Sequence, residues 1–225
     1  MSKIISIENL TLVLGGRTIL DIPRLSFEEG DAISLMGPNG AGKSSLLMVM
    51  AALQEPTSGR LYYRGREYSE YSELSLHRKM AMVFQKPIML DLSVMENAEL
   101  GLKFRGVPRR VRLARIRPWL ERLGVAHLEK SRARSLSGGE AQRVVLAQSL
   151  VLEPEVIFLD EPFSNLDKDI RQELMEQTGG LLKEHRITTV LVTHHSKEAQ
   201  ALSDTVYFME DGRIVGFENM KEHCR

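Results

Sequence analysis

Two short runs of residues, far apart in the chain, could do chemistry together. The first is Gly37-Pro38-Asn39-Gly40-Ala41-Gly42-Lys43-Ser44, with Ser45 behind it. Glycines at these positions let successive backbone N–H groups turn toward the oxygens of an anion, and Lys43 and Ser44 open a helix whose positive end favours negative charge. This spacing belongs to a loop that cradles nucleotide phosphates, its lysine reaching the outer phosphates and its hydroxyl a divalent cation. The second run is Asp160-Glu161, followed by Pro162. Its two carboxylates have different work to do. Asp160 is placed to share a Mg²⁺ shell with the Ser44 hydroxyl, because Mg²⁺ takes oxygen ligands and keeps several waters. Glu161 can then accept a proton from an attacking water as general base. A third candidate is His194, just past another apolar run; its neighbour His195 is read as an ordinary residue.

These residues need a frame that brings them together. Residues 31–36 read as a buried strand entering the glycine loop, and residues 45–53 as an apolar helix leaving it. Strand, glycine loop and helix is the setting a phosphate loop requires. Val156-Ile157-Phe158-Leu159 and Thr189-Val190-Leu191-Val192 are unbroken runs of the kind buried on both faces of a parallel sheet. Asp160, Glu161 and His194 thus stand at the carboxyl ends of strands, where open α/β sheets place ligands.

The remaining segments complete the expectation. Residues 4–27 alternate in short runs, broken by Gly15-Gly16 and Pro23, and read as an antiparallel sheet edge. A turn at Thr57-Ser58-Gly59 leads into a strand over 60–63, and residues 80–84 form another strand ending at Gln85. From about 86 to 134 the strand signals stop and a helical insertion is expected, with Leu113, Ile116, Leu120 and Leu123 at helical spacing and Pro118 kinking or dividing the helix. Arg105, Arg109, Arg110, Arg112, Arg115 and Arg117 surround that segment without forming a stripe, which reads as solvated surface. A helix follows over 141–150, and the chain closes with a hairpin about Asp211-Gly212. The fold class predicted is α/β: a phosphate-loop core with a mainly parallel sheet, an N-terminal antiparallel β-subdomain and a helical insertion. One domain spans 1–225, with its core at about 1–85 and 135–217 and the helical subdomain at about 86–134.

Composition removes some function classes. The balance of 30 Lys+Arg against 30 Asp+Glu gives no net field to recruit nucleic acid or an acidic membrane, so no nucleic-acid partner is expected. The one cysteine, Cys224, provides neither a disulfide framework nor a metal site, which points to a reducing compartment. No run approaches the roughly 18 apolar residues that a spanning helix needs, and residues 1–8 lack a signal-peptide pattern. A cytoplasmic protein brought to a membrane by other chains is the expectation.

Taken in order, the motifs resemble those of the nucleotide-binding subunits of ATP-binding cassette (ABC) transporters, with matches from about residue 4 to 217. Residues 37–45 resemble the Walker A loop, Gln85 the Q-loop glutamine, and Leu136-Ser137-Gly138-Gly139-Glu140 the signature motif. Residues 156–161 resemble Walker B with its catalytic glutamate, Ser164-Asn165-Leu166-Asp167 the D-loop, and His194 the switch histidine. The resemblance implies a Mg²⁺-dependent ATPase. Glu161, His194, Gln85 and Lys43 would serve catalysis, and Ser44, Gln85 and Asp160 would hold the metal. It further implies a head-to-tail dimer, in which Ser137, Gly138 and Gly139 of one cassette contact the γ-phosphate of ATP on the Walker A loop of the other. Opening and closing of that dimer would pass through the Q-loop and the helical insertion to membrane-spanning permease subunits.

The family usually has an aromatic residue that stacks on adenine, and Leu14 occupies the matching position here. The lone cassette, its short tail after Phe217 and the absence of an acidic-glycine motif before the signature tilt the reading toward an importer subunit working as a homodimer with a permease and an extracytoplasmic solute-binding protein. Residues 96–107 look like cassettes of tungstate, molybdate or phosphate importers. An exporter or lipoprotein-release cassette is the alternative, and a soluble ABC protein of translation or DNA repair a more distant one. Around 85–92, the apolar Ile88, Met89, Leu90 and Leu92 are expected to form the groove that receives the permease.

Overall fold

The computed structural model describes residues 2–220, and Cys224 lies outside them. Strands β1 (Lys3–Leu14) and β2 (Arg17–Glu28) pair antiparallel around a Gly15-Gly16 turn. The expected break at Pro23 does not occur. β2 is the edge of a four-stranded sheet, where a residue without an N–H is tolerated. Glu8 still pairs with Arg24 and Leu10 with Ile22, while the intervening Asn9 turns to a φ of 50°.

The chain then runs through β3 (Ala32–Met36), α1 (Lys43–Met50), β4 (Ser58–Tyr63), β5 (Arg66–Glu67), α2 (Glu73–His77) and β6 (Met80–Val83). Helices α3 (Val94–Phe104), α4 (Arg109–Arg122) and α5 (Gly138–Leu150) follow, then β7 (Val156–Asp160), α6 (Lys168–Glu184) and β8 (Thr188–Val192). Helix α7 (Ser196–Leu202) and the hairpin β9 (Thr205–Glu210) and β10 (Arg213–Asn219) complete the described residues. The first sheet has the order β2-β1-β4-β5 and the second β10-β9-β3-β8-β7-β6. In the second, β9, β3, β8, β7 and β6 are all parallel, and only β10 runs antiparallel to its neighbour.

The apolar runs are buried on both faces by the twofold alternation of strand side chains. Val156, Phe158, Val190 and Val192 point into a core shared with α1 and the antiparallel sheet. Ile157, Leu159 and Leu191 point the other way, into a core shared with α3, α4, α5 and α6. Both faces are covered, so polar groups reach solvent from these strands only at their ends.

The helical segment departs from expectation in two respects. α4 continues through Pro118 instead of dividing there: one missing N–H costs one intrahelical bond, while Ile116, Leu120 and Leu123 remain buried on the inner face. Nor are all six arginines solvated. Arg112 pairs with Glu99 at 2.9 Å, with side chains only 13% and 12% exposed. Arg105 donates to the carbonyls of Leu152 and Arg78, tying the end of α3 to the core. Arg109, Arg110, Arg115 and Arg117 are exposed.

Candidate active site

The glycine loop leaves β3 through a gap that only glycine passes. A Cβ at Gly37 would sit 2.1 Å from the Met209 carbonyl oxygen, and one at Gly42 2.8 Å from that of Ile19. Gly42 also takes a φ of 90° to cap α1, a left-handed conformation that favours glycine. The closing hairpin clamps the loop from outside: the Gly212 N–H donates to the Ala41 carbonyl, and Asp21 N–H to the Gly212 carbonyl. Lys43, 6% exposed, folds its ammonium back over the loop and donates to the carbonyls of Gly37 and Pro38 at 2.8 Å each. An ammonium has three N–H groups, so a further one is available to an anion.

Ser44 follows and donates from Oγ to Asp160 Oδ1 at 2.9 Å. Burial at the end of β7 pushes the Asp160 carboxyl above its ordinary value; the Glu161 charge adds to the rise, and the Ser44 hydrogen bond and the Lys43 charge oppose it. Glu161 turns out of the strand with a φ of 43°, rare for a residue with a side chain, and its N–H donates to the Val192 carbonyl at the end of β8. Its carboxylate is 16% exposed and lies between two groups: Oε1 is 3.3 Å from His194 Nδ1, and Oε2 accepts from Gln85 Nε2 at 3.3 Å. Gln85 also donates to Ser164 Oγ, which in turn donates to the Glu161 carbonyl.

A cleft of about 770 Å³ gathers Gly37, Pro38, Asn39, Gly40, Gly42, Lys43, Ser44 and Ser45 with Gln85, Glu161 and His194. Its apolar wall is Ile19, which the sequence reasoning had passed over although its place on β2 puts it beside the loop. Leu14 is 46% exposed and does not line this cleft, and Ala41 lies beneath the loop, 3% exposed.

Ser137, Gly138 and Gly139 are not part of the cleft's lining. Ser137 caps α5 in a reciprocal box with Glu140: the Glu140 N–H bonds to the serine hydroxyl, and Ser137 N–H and O–H donate to the Glu140 carboxylate. A Cβ at Gly138 would meet nothing within 4 Å, so α5 opens to solvent at Ser137 and Gly138, whereas Gly139 is buried against Ile170.

The donors around Ser44 suit Mg²⁺. Asp160 and Ser44 are adjacent and offer only oxygen, and Gln85, whose Nε2 is engaged by Glu161 and Ser164, lines the same cleft as Ser44 with an amide oxygen to offer. Among the described residues there is no group of three or more His, Cys, Asp or Glu that could hold a metal by itself.

The family described as "ABC transporter" matches residues 20–164. Among individual relatives, the Fe(3+) ions import ATP-binding protein FbpC of Escherichia coli is 36% identical over 94% of this chain and 60% of its own length. The tungstate uptake system ATP-binding protein TupC of Peptoclostridium acidaminophilum is 35% identical over 93% of this chain and 96% of its own length. The chain thus spans about 60% of the length of the FbpC relatives and nearly all of TupC. Of solved structures, cbiO1 from Clostridium perfringens, described as part of the ABC transporter complex cbiONQ, superposes with a TM-score of 0.89 at 29% identity, covering 99% of this chain and 91% of that one. The cassette MJ0796, solved as a dimer in a post-hydrolysis state bound to ADP and Pi, gives 0.86 at 28% identity over 96% and 98%. A phosphate loop and two strand-end carboxylates on this fold define a nucleotide-binding cassette. The chain belongs to the ABC transporter family.

Proposed function

We propose that this chain is the ATP-hydrolysing subunit of an ABC importer. The observation that carries the chemistry is the position of the Glu161 carboxylate, held between Gln85 and His194 in the same cleft as Lys43 and the glycine loop. Loop N–H groups and Lys43 bind the phosphates of ATP, with Ser45 in the first turn of α1 behind them. Asp160, Ser44 and Gln85 hold Mg²⁺, which neutralises phosphate charge when bound. Glu161 accepts the proton of the attacking water, with His194 and Gln85 fixing the direction in which its oxygens point.

The exposed start of α5 at Ser137 and Gly138 supports a shared site. Ser137, Gly138 and Gly139 lie off the chain's own cleft and serve ATP held by a second copy, with the N–H groups of Gly138 and Gly139 as donors because that of Ser137 is taken by Glu140, and ATP holds the closed homodimer together because it binds that state better than the open one. The dimeric MJ0796 cassette supports the same reading. In domain terms, residues 1–85 and 135–217 act as the catalytic core and 86–134 as the helical subdomain, whose α3 and α4 pack with α5 in one apolar core.

Import is favoured because both named relatives serve uptake, and the likeness to the tungstate importer subunit TupC supports an oxyanion cargo. Among the described residues no helix is long and apolar enough to cross a membrane, so permease subunits supply the passage, an extracytoplasmic solute-binding protein the cargo, and the cassette sits on the cytoplasmic face of the plasma membrane. Ile88 and Leu90, 63% and 54% exposed, offer the permease an apolar contact, whereas Met89 packs into the helical core and drops out of that surface. The test is a Leu90→Glu variant co-expressed with the permease. It should hydrolyse Mg-ATP as the wild type does and fail to co-purify with membranes; full membrane association would refute the contact, and wild-type protein without Mg-ATP turnover would refute the enzyme.

A further inference from the structure

Behind the cleft lies a buried carboxylate that the hydrolytic chemistry above does not use. Glu198, in α7, is 2% exposed. Its Oε2 accepts a hydrogen bond from Thr193 Oγ1 at 2.6 Å, while Oε1 has no hydrogen-bond partner and faces Arg171 Nε at 4.0 Å. Burying a charge in this way is costly and seldom repaid in stability alone. What the arrangement gains is position on two sides of the site.

On one side, donation to Glu198 commits the Thr193 hydroxyl proton and leaves its lone pairs to accept from His195 N–H at 3.0 Å. Thr193 N–H is itself held by the Leu35 carbonyl. The backbone on both flanks of His194 is thereby pinned, with the imidazole 3.3 Å from Glu161. On the other side, Arg171 donates to the carbonyls of Phe163, Ser164 and Leu166 at 3.0, 3.2 and 2.9 Å, supporting the turn that follows Glu161. Ser164 in that turn also accepts from Gln85.

We propose that Glu198 is a positioning residue for hydrolysis, fixing the His194 peptide through Thr193 and the 163–166 turn through Arg171, so that imidazole and Glu161 carboxylate stay in register. The inference rests on the reading of this chain as an ATPase. Thr193→Val removes the hydroxyl at nearly constant volume, and Thr193→Ser keeps it. The valine variant should lose about tenfold or more in kcat while KM and the calorimetric ATP affinity stay within about threefold, as for misplacement of a reacting group rather than loss of binding. The serine variant should recover most of the rate, and Glu198→Gln should reproduce the valine defect. In ¹⁵N spectra of the free protein, the His194 imidazole signals should shift in Thr193→Val and return in Thr193→Ser.

Wild-type kcat in a folded Thr193→Val protein would overturn the proposal, as would equal loss in the serine and valine variants or a fall in thermal midpoint alone. If Glu198→Gln does not fold, the Thr193 pair still decides. A wild type without turnover would overturn the enzymatic reading instead, and the imidazole spectra would then decide whether the positioning contact exists: unchanged His194 signals in Thr193→Val would overturn it.

Discussion

Replacing Glu161 by Gln exchanges one carboxylate oxygen for an amide NH₂ and leaves the shape of the side chain intact. Gln85 Nε2 is a donor, so the remaining oxygen faces it, and the new NH₂ turns to His194, whose neutral ring accepts at Nδ1 in one tautomer. The residue keeps its place and loses its basicity. Removing a general base costs about 10² to 10⁴ in rate, or about 2.7 to 5.4 kcal/mol of barrier. Binding should not follow. The hydrogen bonds of Lys43 run to Gly37 and Pro38 and that of Ser44 to Asp160, none of them through Glu161. The Glu161 charge is one of the influences raising the Asp160 pKa, so the neutral variant leaves Asp160 more readily ionised. Steady-state phosphate release, calorimetric titration with Mg-ATP and size-exclusion chromatography with and without ATP form the assay. The expected result is turnover lowered by at least about a hundredfold, affinity retained, and a dimer that persists in ATP. Turnover within about threefold of wild type would show that another group takes the proton. Loss of ATP binding would place Glu161 among the phosphate contacts.

Three further outcomes are expected. Lys43→Ala and Ser137→Arg should each be inactive alone and recover part of the activity when mixed, because one of the two composite sites of a heterodimer then carries neither lesion; no recovery in demonstrated heterodimers would refute the shared site. Because Leu14 does not line the cleft, Leu14→Tyr should leave the calorimetric ATP affinity unchanged, with Ile19 as the residue beside the base, and a gain of roughly 0.5 to 1.5 kcal/mol would show that position 14 covers the base instead. Burial pushes the Glu155 carboxyl up, but hydrogen bonds from Lys79, Tyr63 and Arg64 outweigh it and hold the pKa at about 2, against 4.5 ordinarily. A depressed carboxylate contributes stability that is present above its unfolded value and lost as pH falls through the folded one, so Glu155→Gln should destabilise at pH 7 and much less at pH 2. With the side chain 27% exposed and partners partly in water, the effect is about 1 to 2 kcal/mol, or about 2 to 8 °C in Tm; equal stability of the two proteins at pH 7 would refute it.

The glycine loop, Asp160, Glu161 and His194 could be placed from sequence because parallel strands buried on both faces announce themselves as apolar runs, and whatever follows such a run stands at the rim of the sheet. The apolar spacing of α4 was equally visible. Of kinking or dividing at Pro118, division did not follow, because local propensity weighs a missing hydrogen bond without knowing how much apolar surface the helix buries on either side of it. Pro23 misled for a similar reason, since only the pairing shows that β2 is an edge. Met89 and Leu90 are indistinguishable by composition, yet the first packs inward and the second does not. Glu198 gave no signal: a glutamate in a short helix reads as surface, and its partners Thr193 and Arg171 lie on other elements. The loop's contact with Gly212 is a backbone bond between residues 41 and 212, which no local pattern encodes.

That contact, with the strand order around β3, constrains how the protein can be made. β3 is an early strand, yet its neighbours in the sheet are β8 and β9, both near the far end of the described chain. On the ribosome, residues 32–36 emerge as an apolar segment with no strand to pair with until residues 188–210 have been synthesised. The glycine loop waits longer still, for Gly212 to close over Ala41. At roughly 5 to 20 residues per second, on the order of ten to thirty seconds of elongation separate the two, during which the segment depends on its own helix, on the antiparallel sheet or on a chaperone for cover. Nucleotide binding is therefore acquired only once residue 212 has been synthesised, and nascent chains stalled before residue 188 should be held by chaperones rather than by ATP.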